Sequence, residues 1–170
     1  ARENDALIIA VNPLKEAGLQ NFTDPQSIAG ILGREITISN FYLQIRVNGD
    51  MALMQAIAKF WFQFEDENPG KVLDHKFITE KTAGYEAFKT HILEQDFDVL
   101  AKQCGIPLER IKEIADQLKF KNKIIICWEM GLTQNKNSVN TIKEAVNLLR
   151  MKGTIGNPGA GPAPVQVTCN

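Results

Sequence analysis

The chain has 170 residues, 44% of them hydrophobic and 23% charged, and carries a net charge of −1 from 19 basic and 20 acidic side chains. That size suits one domain with a sizeable core, or one domain and part of another, and the composition argues against disorder. The balanced charge gives no reason to expect nucleic acid or an anionic membrane as a partner.

No apolar run is long enough to span a bilayer. The greasiest stretch, MALMQAIAKFWFQF, is interrupted by Gln55, Lys59 and Gln63. The N-terminal ARENDALIIAV has no basic flank with a long apolar run behind it, so no signal peptide shows. The cysteines, Cys104, Cys127 and Cys169, lie far apart with no CxxC spacing. They are too few and too scattered for an iron–sulfur cluster or a structural zinc. Their odd number argues against a disulfide framework and for a reducing, cytoplasmic setting. Cys104 and Cys127 read as small buried hydrophobes, and Cys169 as exposed at the chain end.

The first element is ALIIAV, residues 6–11, a short β-branched run stopped by Asn12 and Pro13. It reads as a fully buried strand. Residues 14–48 read mostly as loop, with a brief helix in TDPQSIAGILG. Residues 50–65 form a helix with Asp50 as N-cap. Leu53, Met54, Ile57, Phe60, Trp61 and Phe64 recur at spacings of three and four and give it a wide apolar face. Shorter helices follow at 74–78, capped by Asp74, at 82–93, and at 96–104, closed by Gly105. GIPLERIKEIADQLKF is a helix burying Ile111, Ile114, Ala115 and Leu118. KIIICW reads as a second buried strand, followed by a glycine-bearing turn at 129–138. The last helix runs from Ser138 to Lys152 and stops at Gly153. Beyond it, GTIGNPGAGPAPVQ is dense in glycine and proline. Strands set among about six helices predict an α/β fold with a parallel sheet, helix-rich and incomplete in its strands.

In such folds ligands bind at the carboxyl ends of strands. NPLKEAG and EMGLTQN leave the two predicted strand ends. NGD, residues 48–50, opens the long helix and combines a helix N-terminus with a carboxylate. A carboxylate there suits the amino and imino groups of a base such as guanine. The plainer alternatives are that Asp50 is only a cap, Met130-Gly131 only a turn, and Asn12-Pro13 only a strand stop. His75 and His91 read as isolated surface histidines, and Trp128 as core. No metal-ligand set and no catalytic motif such as HExxH, GxSxG or a P-loop occurs.

Six segments in order, VNPLKEAGL, NGDMALM, FITEKTAGYEAF, CGIPLERIKEIA, CWEMGLTQN and NLLRMKGTIGNPGAGPAPV, give the chain a resemblance to a known family. It resembles the molybdopterin oxidoreductases, in particular formate-dehydrogenase-like alpha subunits, from about Ile8 to Val165. The resemblance implies a Rossmann-like α/β domain of the formate dehydrogenase/DMSO reductase type over residues 1–165, with residues 166–170 diverging. It implies an internal piece of a longer subunit that binds molybdenum bis(molybdopterin guanine dinucleotide). The longer subunit would carry a 4Fe-4S cluster in an upstream region, and would pass electrons from a small substrate such as formate to that cluster and on to an electron-transfer partner. By the same resemblance Asn12, Pro13 and Glu16 lie by a guanosine of the cofactor. Gln44, Gly49 and Asp50 hold guanine and its phosphates, and Met130, Gly131, Thr133 and Gln134 face the pterin. No catalytic residue and no metal ligand is assigned. Two positions depart from the family pattern: Gln166 stands where a substrate-orienting arginine is usual, and Thr154 where asparagine is frequent. The alternative is a non-catalytic nucleotide-binding or structural α/β domain, and an incomplete sheet would leave an edge prone to self-association.

Overall fold

The computed structural model describes residues 5–22 and 36–165. The chain divides into two compact units, Ala1–Val47 and Asn48–Asn170. It is a helix-rich α/β protein.

The first unit holds β1 (Ile9–Val11), α1 (Ala17–Gln20), β2 (Asn21–Phe22), β3 (Ile36–Thr37) and β4 (Phe41–Leu43). β1 and β4 run parallel, pairing Ile9 with Phe41 and Val11 with Leu43. β2 and β3 form an antiparallel pair. Asn40 fixes the start of the parallel ladder from both sides of Ile8. Its N–H donates to the Ile8 carbonyl at 2.8 Å, and its Oδ1 accepts the Ile8 N–H at 2.9 Å. The apolar run at 6–11 predicts a longer, buried strand. The ladder keeps only three of its residues, and Val11 is 40% exposed. β1 has a single neighbour among the described strands, so its apolar composition is not matched by cover. The other elements of this unit fall in the stretch read as loop, because pieces of two to four residues are too short to show a period. The helix expected in TDPQSIAGILG lies outside the described residues.

The second unit holds α2 (Asp50–Glu67), α3 (His75–Lys81), α4 (Tyr85–Glu94), α5 (Phe97–Cys104), α6 (Leu108–Leu118), β5 (Ile125–Trp128), α7 (Met130–Thr133), α8 (Ser138–Met151) and β6 (Gly161–Pro164). α2 is its axis. Ala56, Ala58, Phe60, Trp61, Phe62 and Phe64 are all buried, so the helix is covered nearly all round. α4, α5, α6 and α8 pack against it. Phe60 stacks on Phe97 with ring centroids 4.3 Å apart. Trp61 satisfies its indole N–H by donating to the Ala115 carbonyl of α6 at 3.0 Å. Each of these aromatic side chains contributes about 2–3 kcal/mol by leaving water.

The helix ends follow local chemistry. Asp74 and Asp96 cap α3 and α5 by accepting the N–H groups of Phe77 and Val99, at 2.8 and 3.0 Å. α5 closes on Gly105 in the left-handed region. Gly153, at φ +59°, ends α8 where no side chain fits: a Cβ would lie 2.3 Å from Asp74 Oδ2. Asp50 is the first residue of α2 rather than its N-cap, which is Gly49.

Glu65 and Lys152 clamp the segment between α2 and α3. The buried Glu65 carboxylate accepts N–H groups from Gly70, Val72 and Leu73 at 2.5, 2.9 and 2.9 Å. It also meets His75 Nε2 at 2.7 Å, so this histidine is partnered rather than isolated. Lys152 Nζ donates to the carbonyls of Val72 and Lys119 at 2.6 and 2.5 Å.

β5, α8 and β6 make a βαβ unit with a parallel ladder. β5 is more open than its sequence suggests. Ile125 is 55% exposed, and Cys127 is exposed, not the buried hydrophobe expected. Cys104 is buried as expected, and Cys169 lies outside the described residues. The physical reason is again a missing neighbour: β5 pairs with β6 alone among the described strands. β6 comes from the Gly/Pro-rich stretch, whose prolines argue against a strand at the sequence level.

Candidate cofactor-binding site

In the first unit the polar groups gather at the carboxyl ends of the parallel strands. Asn12 continues the ladder by donating its N–H to the Leu43 carbonyl at 3.1 Å. Its side-chain amide donates to the Leu14 carbonyl at 2.9 Å and to Glu16 Oε1 at 3.0 Å. From β4, Gln44 Nε2 donates to the Pro13 carbonyl at 3.2 Å, and the Tyr42 hydroxyl bonds the Leu14 carbonyl. Asn12, Pro13, Glu16 and Gln44 therefore form one cluster. Glu16 and Gln44 are exposed, while Asn12 and Pro13 are half-buried. Tyr42 belongs to the cluster and has no sequence signal of its own, because only the parallel pairing brings it to Leu14.

In the second unit the candidates lie at the start of α2 and in the segment after β5. No side chain caps α2. Asn48 precedes it in the left-handed conformation, φ +64°. Asp50 is half-buried, and burial pushes its carboxyl above the usual range, with a backbone N–H pulling the other way. The segment after β5 folds as the single turn α7, where the Gln134 N–H reaches the Met130 carbonyl at 2.8 Å. Thr133 Oγ1 donates back to the carbonyls of Glu129 and Met130, both at 3.4 Å. Met130, Gly131, Thr133 and Gln134 are all exposed. Asn135 and Asn137 link this segment to α2. Asn135 Oδ1 accepts the Asn137 N–H at 2.8 Å, and Asn137 Nδ2 donates to Asn48 Oδ1 at 3.3 Å. Asparagine pairs of this kind carry no motif, so the sequence gives no sign that NGD and EMGLTQN are joined through Asn137. Gln166 lies outside the described residues. Thr154 is buried, and its hydroxyl donates to the Leu149 carbonyl at 3.1 Å. No group of three or more metal-ligating side chains occurs among the described residues.

The donor set fits the guanine-nucleotide end of a cofactor. Asp50 offers an acceptor to the N–H edge of a purine, and the uncapped start of α2 offers backbone N–H groups to phosphate.

No protein-family model matches the chain. An uncharacterized oxidoreductase of Mycobacterium tuberculosis is 41% identical over 166 residues, covering 98% of this chain and 21% of that protein. The alpha subunit of an F420-dependent formate dehydrogenase of Methanococcus maripaludis is 32% identical over 128 residues, covering 75% of this chain and 18% of that subunit. The chain is similar to segments of proteins named as oxidoreductases. It spans about one-fifth of the length of the curated relatives it matches. Among solved structures, acetylene hydratase from Pelobacter acetylenicus superposes with a TM-score of 0.70 at 18% identity, covering 93% of this chain and 19% of that one. The fold is shared with that segment of the solved chain. No described helix is long and apolar enough to cross a membrane.

Proposed function

We propose that this chain is the guanine-nucleotide-binding segment of a molybdopterin oxidoreductase, similar in kind to formate dehydrogenase alpha subunits, with a Rossmann-like parallel arrangement. The observation that carries the reading is Asp50. It is a half-buried carboxylate at the uncapped start of the 18-residue α2, and Asn48–Asn137 ties its segment to the one that holds Met130 to Gln134. The order of the six resembling segments, and relatives named oxidoreductase and formate dehydrogenase, support it. When bound, the molybdenum cofactor supplies the redox chemistry. The chain's own residues bind and orient. Asp50 accepts from the guanine edge, the α2 N–H groups meet phosphate, and Asn12, Glu16 and Gln44 present polar groups at the strand ends. Met130, Gly131, Thr133 and Gln134 line the approach to the pterin.

Asp50→Ala in the longer polypeptide tests this role. Losing a charge-assisted acceptor costs about 2 kcal/mol of binding, so guanine-nucleotide retention is expected to fall at least tenfold. The melting temperature of the unloaded protein stays within a few degrees, because Asp50 caps no helix. Unchanged retention with lowered stability would assign Asp50 a structural role and favour the non-catalytic reading.

A further inference from the structure

α2 and α8 run side by side in the same direction. Two side-chain bonds fix their register: Asn137 Nδ2 donates to Asn48 Oδ1 at 3.3 Å, and Gln55 Nε2 donates to Glu144 Oε1 at 3.0 Å. Both bonds join residues 89 positions apart in the sequence, so the helices keep step and their starts lie at the same end. Asn137 stands at the start of α8, where an asparagine side chain ordinarily accepts a backbone N–H of the first turn. It makes no such cap. Its backbone is held from both sides instead. The N–H donates to Asn135 Oδ1 at 2.8 Å, and the carbonyl accepts the N–H and the hydroxyl of the buried Thr141 at 3.0 and 3.1 Å. Asn135 in turn donates its amide to the Leu132 carbonyl at 3.1 Å. The Asn137 side chain is spent on Asn48, whose backbone lies in the left-handed region at φ +64°, a conformation that a residue other than glycine holds only at a cost. The bonds run on from Leu132 through Asn135 and Asn137 to Asn48, two residues before Asp50.

We propose that Asn137 is a positioning residue for Asp50, and that the relay of Asn135, Asn137 and Asn48 couples guanine binding at Asp50 to order in the segment Met130 to Gln134; this rests on the guanine-reading role proposed for Asp50. The Asn137 amide holds Asn48 left-handed. That fixes the direction in which the chain enters α2, and with it where the Asp50 carboxylate and the first N–H groups of the helix face. Without the bond Asn48 relaxes toward the ordinary right-handed region and the entry turns. Coupling of this kind is reciprocal, so a ligand that favours the held start also favours the held segment. Guanosine 5′-monophosphate carries the base and a phosphate but no pterin. Protection that it confers on the segment after β5 therefore reports the relay.

The test titrates the longer polypeptide, freed of cofactor, with guanosine 5′-monophosphate by calorimetry, and follows amide hydrogen exchange from Leu132 to Asn137 with and without it. Asn137→Ser is the informative variant. Serine is neutral, starts a helix as well as asparagine does, and is too short to reach Asn48. It should lower the affinity about fivefold, leave the melting temperature of the ligand-free protein unchanged, and abolish the slowing of exchange that the nucleotide produces in the wild type. Gln55→Ala breaks the other bond between the same two helices and should keep the affinity within about twofold. Asn48→Gly holds the left-handed conformation without a partner, so N48G/N137S should bind within about twofold of N48G alone. An affinity that N137S leaves unchanged, or that Q55A lowers equally, overturns the proposal. So does an N137S effect that persists beside N48G, or protection that survives N137S. Asp50→Ala keeps the two roles apart. If it weakens nucleotide binding and N137S does not, Asp50 keeps its role and the relay falls. If the wild type takes up no nucleotide, the guanine-reading role falls and the relay falls with it.

Discussion

Replacing Glu65 with alanine is expected to cost the fold about 4 kcal/mol, a large part of the stability of an ordinary domain. The carboxylate holds the N–H groups of Gly70, Val72 and Leu73 together. Val72 and Leu73 are themselves buried, so their N–H groups would lose the acceptor without gaining free access to water. Chemical denaturation of wild type and variant measures the difference. His75→Ala is the informative control. Half of the His75 side chain is exposed, so removing it should cost less than about 1 kcal/mol. Equal losses would mean that the His75 contact, not the backbone cradle, is what Glu65 contributes. The acid limb follows from the same contacts. Burial pushes the Glu65 carboxyl up, but His75 and the three backbone N–H groups outweigh it and hold it below its usual value. Its contribution is therefore complete above the unfolded-state pKa and is lost as pH falls through the lower folded-state value.

Lys152→Met is expected to change stability by an amount that depends on pH. Burial lowers the Lys152 ammonium to about 8, against the pull of Glu65 and Asp74. Between that value and about 10.4 the unfolded chain holds a proton that the folded chain has released, so wild-type stability rises with pH across this window. The gain is on the order of 3 kcal/mol. A neutral amine keeps two N–H donors, enough for the carbonyls of Val72 and Lys119 that it already bonds. At pH 10 methionine would leave both carbonyls unpaired, and the variant should be less stable by about 2 kcal/mol or more. Near pH 7 the wild type carries the cost of a buried charge, and the gap should close or reverse. Burial also raises the Tyr85 phenol, which acts on both proteins alike and cancels in the difference. A gap that stays constant from pH 7 to pH 10 would contradict the assignment.

The helices of the second unit were legible because their signals are local. Asp74, Asp96, Gly105 and Gly153 sit at helix ends where capping chemistry puts them. The apolar spacing along α2 marks a helix that is covered nearly all round. Strand burial was not legible. ALIIAV and KIIICW have the composition of buried strands, but burial depends on neighbours that a single strand does not encode, and each has one among the described residues. β6 was hidden because Pro162 and Pro164 are strand breakers by composition. Their positions become permissible only once the register turns them away from β5. The candidate site was legible in part. Asn12, Pro13, Glu16 and Gln44 meet in the first unit, and Asp50 stands at the start of the helix. Tyr42 in the first unit, and Asn137 in the second, had no signal in the sequence, because each enters its cluster through a long-range contact, to Leu14 and to Asn48 respectively.

We propose that this chain holds the guanine-nucleotide end of a molybdopterin cofactor within a longer oxidoreductase. The most direct test purifies that longer polypeptide without chelators, denatures it, and assays the released molybdenum and guanine nucleotide together. Both are expected, with guanine nucleotide in excess of metal by the ratio that a bis(guanine dinucleotide) cofactor requires. Protein that contains neither, purified from cells that load a related enzyme in parallel, would contradict it.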